Sequence, residues 1–359
     1  MKDRMKKGIC LIISLLMLAG CWDRIEIEDR AFAVAFGIDA VDEESEARFQ
    51  FSAAIARPDD ESTGDTEEDG ADTSTQGQTL VEAIYALDAR CSRKLCFGQA
   101  KTVVLGKELL QNRDLFREVV GVIENRPEID RTITVLAAHD NVPDILKASP
   151  HGGAKQGYYV VNFYRLAPKS GGRSFQKNFE KMMAELRATG NTLLPLVEEE
   201  DDNIQVEGAL AIKDYQLVGA LDGAELRGLL WADDKACKGA ILTTEDHTPM
   251  VVRRHRSHLR FSEEDGYLRC IVDVRVKGEV YHFGDKAPKA LEYEQLIEQE
   301  IKKTAEKLQQ ELEVDTFNFR TVLRKQRYSL YRQYADDWEQ AFKGMEVIPM
   351  VRCDILYKS

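Results

Sequence analysis

The sequence predicts an α+β protein of several domains, with mixed β-sheets flanked by helices, behind an N-terminal signal peptide. Three observations carry that expectation. β-branched runs and amphipathic helical stretches both occur, but they alternate too irregularly for a doubly wound parallel sheet. The chain has 359 residues, enough for two or three domains. Its apolar fraction of 43% is that of a globular protein with a proper core.

The N-terminus is the most specific stretch. Lys2, Arg4, Lys6 and Lys7 precede an apolar run over residues 8–20, which closes on Leu18-Ala19-Gly20-Cys21. This is the layout of a secretory signal peptide. The cysteine makes it a bacterial lipoprotein signal, in which residues 1–20 are removed and Cys21 carries a covalent diacylglycerol and an N-acyl lipid. As a helix the 13-residue run reaches about 20 Å, short of a hydrocarbon core of roughly 30 Å, so it is a poor uncleaved anchor. No later stretch approaches 18 apolar residues. The expected place is the outer, extracytoplasmic face of a membrane, held by lipid.

Charge narrows the partners. Residues 1–20 hold four basic residues and one acid, which leaves 45 basic against 61 acidic beyond them. An acidic surface repels nucleic acid and anionic lipid, and no basic stripe with interleaved aromatics is visible. The five later cysteines, Cys91, Cys96, Cys237, Cys270 and Cys353, are an odd number and read as small buried hydrophobes, although the Cys91–Cys96 spacing permits a bridge.

The elements follow in order. Residues 31–38 (AFAVAFGI) read as a buried strand, and 48–55 as a strand with Phe49, Phe51 and Ala53 on one face. Residues 58–78 hold eight acids and four glycines or prolines, with no base and no large apolar group. Such a segment cannot bury enough surface to offset its ordering entropy, so a mobile loop is expected. Thr79-Leu80-Val81-Glu82 fits a capping box for a helix over 80–92. A strand over 100–105, a helix over 107–125, a strand over 130–137 and a short helix over 143–148 come next. A looser stretch over 149–173 precedes a helix over 175–188.

Glu198-Glu199-Glu200-Asp201-Asp202 reads as a solvated linker. It divides an N-terminal region, 21–200, from a C-terminal α+β domain, 203–359. Beyond it lie strands over 205–212 and 216–220 with a tight turn at 213–215, a helix over 221–231, and strands over 239–243, 250–256 and 267–281. Ile297, Ile301, Ala305, Leu308 and Leu312 line one helix face. A helical stretch over 322–342 and a strand over 346–357 close the chain.

Motifs for chemistry are missing. There is no phosphate-cradling loop, no dinucleotide fingerprint, no nucleophile elbow and no H-E-x-x-H. His255 and His258 fall on opposite faces of a strand and cannot share a metal. Asp65, Glu67, Asp69 and Gly70 match part of a calcium loop, but Gln76 stands where a bidentate glutamate is needed. The residues thus point to neither enzyme nor metal protein, and no cofactor is expected.

Cys21-Trp22-Asp23-Arg24-Ile25-Glu26-Ile27, with Ala31 to Asp39 behind it, resembles the mature start of the C-subunit lipoproteins of spore germinant receptors, the Ger(x)C family. That family is known for a Cys-Trp-Asp-x-x-Glu-Ile start and an apolar strand ending in Gly-Ile-Asp. Arg93 to Gly98, Arg126 to Arg131, Val206 to Ile212, Leu217-Val218-Gly219 and Asp315 to Phe319 also fit, with Trp338 on the last long helix. Gln99 stands where the family often has histidine, and the acidic stretch before Thr79 looks like an insertion.

The resemblance implies a lipid-anchored, non-enzymatic subunit on the outer face of the spore inner membrane, with a body of three α+β domains, needed for germination. It implies two integral membrane partner subunits that bind the small-molecule germinant. Trp22, Asp23, Arg24 and Glu26 would then lie at the bilayer and touch those partners. The alternatives are a solute-binding lipoprotein of a transporter, which needs a cleft between two similar lobes, and a lipid-anchored enzyme.

Overall fold

A computed structural model describes residues 26–41, 44–56, 74–139, 141–148, 156–165, 171–200, 203–234, 236–281 and 289–358. Cys21, Trp22, Asp23, Arg24 and the partial calcium loop at 65–70 lie outside them. Two sheets organise the rest.

The first sheet contains β1 (Arg30–Ala40), β2 (Phe49–Ile55), β3 (Ser74–Gly77), β4 (Lys94–Cys96), β5 (Thr102–Gly106), β6 (Thr134–Ala138), β7 (Asn191–Glu200), β8 (Asn203–Lys213) and β9 (Gln216–Leu221). Its order is β3-β2-β1-β5-β6-β7-β8-β9, with β4 beside β1. The centre β1-β5-β6-β7 is parallel. Antiparallel pairs flank it on both sides. The helices are α1 (Leu80–Arg90), α2 (Lys107–Gln111), α3 (Arg113–Glu124), α4 (Val142–Lys147), α5 (Gln156–Arg165) and α6 (Phe179–Thr189). One sheet face packs on α1, α3 and α6 through Phe36, Phe49, Phe51, Phe116 and Phe179. The other packs on α4 and α5. Gly37 lets α4 lie against β1, since a Cβ there would stand 2.1 Å from Val142.

The second sheet is β10 (Ile241–Thr243), β11 (Pro249–Glu264), β12 (Tyr267–Tyr281) and β13 (Glu346–Lys358), in that order. The pairs β10–β11 and β11–β12 are antiparallel, and β12–β13 is parallel. Helices α7 (Gly223–Leu230), α8 (Ala290–Glu306), α9 (Phe319–Gln326), α10 (Tyr328–Tyr334) and α11 (Trp338–Lys343) cover one face. Ile297, Ile301, Ala305 and Leu308 are buried as their spacing predicts. The mixed sheets and flanking helices are the expected α+β class.

Several expectations change. Ser74–Gly77 is a strand, not loop, because the edge of β2 offers backbone partners and Ser74 accepts from Gln50 and Ser52 side chains. The helix over 107–125 breaks at Asn112, whose side chain accepts from Asp114 N and Leu115 N and so caps α3. The strand over 130–137 starts only at Thr134, since the Asp130 carboxylate accepts from Thr132 N at 2.8 Å and holds a turn. The loose stretch over 149–173 contains α5, whose Tyr159, Phe163 and Tyr164 pack against the second core of the first sheet. In the capping box Thr79 accepts from Glu82 N, but Glu82 reaches back to Gln78 N instead of Thr79 N.

The acidic run is not a free linker. Glu198, Glu199 and Glu200 end β7 and pair with Gln205, Ile204 and Asn203 of β8. The first sheet therefore includes Glu198 to Glu200 and continues with β8 and β9. Leu193, Ala209, Ala211 and Leu221 of that sheet belong to the same core as the second sheet. At the far end, the helical stretch over 322–342 is three short helices. Asp337 caps the last by accepting from Gln340 N.

Candidate functional site

The chain emerges at the N-terminal end of the parallel strands. Glu26, the described member of the expected partner-contact set, is exposed and accepts from Asp29 N through its carbonyl at 3.2 Å. Ile27 beside it is 75% exposed. Arg30 then enters β1 at the middle of the sheet, with β2, β4 and β5 as neighbours. A tether on the residues before Glu26 would thus connect directly to the sheet centre.

Two distant blocks gather at this same end. Arg30, Ala31 and Phe32 pair in parallel with Lys94, Leu95 and Cys96. The block at 126–131 leads into β6 by a tight turn, with Ile133 N donating to Asp130 O. Arg126 joins the blocks: its guanidinium lies 6.0 Å from the Phe97 ring centre and pairs with Glu128 at 2.9 Å. Sequence reasoning singled out each block but not their meeting. Only the parallel order β4-β1-β5-β6 brings their starts together.

Two motif aspartates are buried. Asp39 ends β1 and accepts from Ala40 N at 2.8 Å and Leu109 N at 3.4 Å. Gly106 makes room for it, since a Cβ there would meet the carboxyl carbon at 2.0 Å. Burial pushes the Asp39 carboxyl up to about 7, with the nearby Glu108 adding to the shift and the two N–H donors opposing it. Asp315 precedes α9. Its oxygens accept from Phe319 N at 2.9 Å, Arg320 N at 2.8 Å and Trp338 Nε1 at 3.2 Å. Burial pushes it up to about 6 against those three donors. Both carboxylates hold backbone in place.

Asp39 has a measurable consequence. The unfolded chain releases this proton near pH 4, whereas the folded chain keeps it to about pH 7. The folded state thus binds the extra proton between those values, and stability falls as pH rises through them. Asp39→Asn is expected to remove this part of the slope. The variant should gain on the wild type from pH 4 to pH 7, by at most about 4 kcal/mol, with the gap constant above. Urea titrations at pH 4.5 and 8 check this; an equal gap at both contradicts it.

The histidines behave as expected. His255 is buried, and His258 is exposed on the opposite face. His255 accepts from Cys237 N at Nδ1, and its Nε2 lies 3.0 Å from Trp231 O. Burial pushes its pKa down to about 4, which fixes a neutral ring. Among the described residues no group of three His, Cys, Asp or Glu could hold a metal.

With this geometry in place, comparison with known proteins decides the family. Residues 23–199 match the spore germination protein N-terminal domain, and residues 207–357 match the spore germination B3/GerAC-like C-terminal domain. The chain belongs to the GerAC-like spore germination family. The seam between the two matches falls on the β7–β8 hairpin.

Spore germination protein B3 of Bacillus subtilis (strain 168) is 23% identical over 357 residues, covering 92% of each chain. Spore germination protein KC of the same organism is 22% identical, covering 93% of this chain and 88% of that one. The crystal structure of the GerBC protein superposes with a TM-score of 0.57 at 18% identity, over 90% of this chain and 98% of that chain. The GerAC-like fold is thus shared along nearly the full length.

Burial raises the thiols of Cys91, Cys237, Cys270 and Cys353, so they stay protonated and poorly nucleophilic. The five described cysteines are free; Cys237 and Cys270 are buried, and Cys91, Cys96 and Cys353 are half-buried. Among the described residues no helix is long and apolar enough to cross a membrane. A cleft of about 190 Å³ between α11 and the turn after α8 is walled by Glu313, Asp337, Glu339 and Lys343. It is smaller than the roughly 300–1,000 Å³ of small-molecule sites and has a mainly polar lining.

Proposed function

We propose that this chain is the lipid-anchored, non-enzymatic subunit of a nutrient germinant receptor in the spore inner membrane. The observation that carries the reading is the family match over both halves of a chain whose start carries Leu18-Ala19-Gly20-Cys21. Cys21 would hold a diacylglycerol and an N-acyl chain on the outer membrane face. Trp22, Asp23, Arg24 and Glu26 would run along the bilayer surface and touch two integral membrane subunits, which bind the germinant. The protonated thiols and the structural roles of Asp39 and Asp315 support a body that docks and does no chemistry.

The test has two arms. Deleting the chain should abolish the response of spores to one nutrient class and lower the level of two membrane proteins. A thermal-shift screen of the purified chain with amino acids and sugars should move its Tm by less than about 1 °C, since a ligand at 100 Kd would stabilise it by about 2.7 kcal/mol. A rise of several degrees with one solute supports a transport lipoprotein and contradicts the receptor reading.

A further inference from the structure

The outer face of the second sheet carries a row of arginines in register. Arg256 of β11 stands opposite Arg275 of β12, and Arg275 stands opposite Arg352 of β13. All three are exposed. The adjacent row is Arg254, Lys277 and Asp354, so five of these six positions are basic. Among the described residues no helix covers this face; the described helices pack on the opposite one. The charge reading from sequence missed the row because each arginine alternates with core residues such as His255, Val274, Val276 and Val351.

The arrangement is costly to the fold and incompletely neutralised. Like charges directly opposite on neighbouring strands destabilise a sheet. Arg256 pairs with Asp234 at 3.0 Å and Lys277 with Asp354 at 3.1 Å, but Arg275 reaches Asp273 only at 3.7 Å. Arg254 and Arg352 have no ion-pair partner among the described residues. This stands in a chain with 13 more acidic than basic residues.

We propose that this face docks an acidic segment of a protein partner. The proposal rests on the reading above in requiring a protein partner. The row is made of arginines, whose planar fork binds carboxylates two bonds at a time. Met350 and Leu356 flank Arg352 on the same face, 44% and 55% exposed, and arginine with methionine marks contact surfaces between proteins. Strands about 4.8 Å apart, with same-face residues about 6.8 Å apart along each, suit carboxylates on an extended chain. Asp273, Glu279 and Asp354 interrupt the field. They would repel a uniform anionic bilayer, whereas a peptide can set its carboxylates over the arginines alone.

A photo-crosslinking residue placed at Met350 tests this in intact spore membranes, with mass mapping of the adduct. The expected adduct joins a protein segment rich in Asp and Glu. It falls at least tenfold in R256E/R275E/R352E and a few-fold in R256K/R275K/R352K, which keeps the charge and the fold. Arg275→Thr should raise Tm by about 1–4 °C, as relief of a like-charge pair. A lipid adduct, no adduct, or an adduct indifferent to both triple variants overturns the proposal. If the membrane subunits still co-purify in that case, the receptor reading survives without this face.

Discussion

Replacing Cys21 with alanine is expected to abolish lipid modification and leave residues 1–20 uncleaved or the chain released from membranes. The size of the effect follows from the anchor. Each buried methylene contributes about 0.8 kcal/mol, so one acyl chain holds a protein marginally and two hold it stably. The run over 8–20 reaches only about two thirds of the hydrocarbon thickness. No described helix spans a membrane, and the acidic balance disfavours anionic lipid. Membrane fractionation with an N-terminal mass on each fraction reads the result. A variant that stays membrane-bound and is cut at the same bond contradicts the anchor.

The second large effect is expected in the folded body. Asp315→Ala removes the acceptor for Phe319 N, Arg320 N and Trp338 Nε1 together. Each orphaned buried donor costs about 1–3 kcal/mol, and three that share one acceptor relax in part. The loss expected is about 3–5 kcal/mol, with Tm lower by on the order of 10 °C. Asp315→Asn keeps one acceptor oxygen and should lose less than half of this. Guanidinium unfolding of the three chains measures both. A loss below about 1 kcal/mol for alanine would mean that α9 and α11 are held some other way.

Much of the fold was legible because the pattern agreed with the packing. Phe49, Phe51 and Ala53 alternate into the core, and Ile297 to Leu308 keep one helix face buried. The turn expected at 213–215 has Asp214 and Tyr215 at positive φ, which closes a tight hairpin. What failed were segments whose structure is decided by neighbours. Ser74–Gly77 has Thr75 as its one strand-forming side chain, and the edge of β2 imposes the pairing. Glu198 to Glu200 carry like charge, yet β8 turns back along them.

The site divided in the same way. The motif blocks at 31–39, 93–98 and 126–131 could be picked out as residues. Their meeting depends on β4, β5 and β6 all running parallel to β1, and no local pattern records a strand order. The buried roles of Asp39 and Asp315 were hidden too, since an acid among many shows its surroundings only in the fold. The arginine row needed the register of three strands, one of them brought back from more than 70 residues away.

The central claim is that a lipid on Cys21 holds an otherwise non-catalytic body at the membrane. Mass spectrometry of the N-terminal peptide from protein purified out of native spores tests it most directly. The account predicts a peptide that begins at Cys21 and carries the added mass of a diacylglyceryl thioether and an amide-linked acyl chain. A peptide that retains residues 1–20, or begins at a bare Cys21, would contradict it.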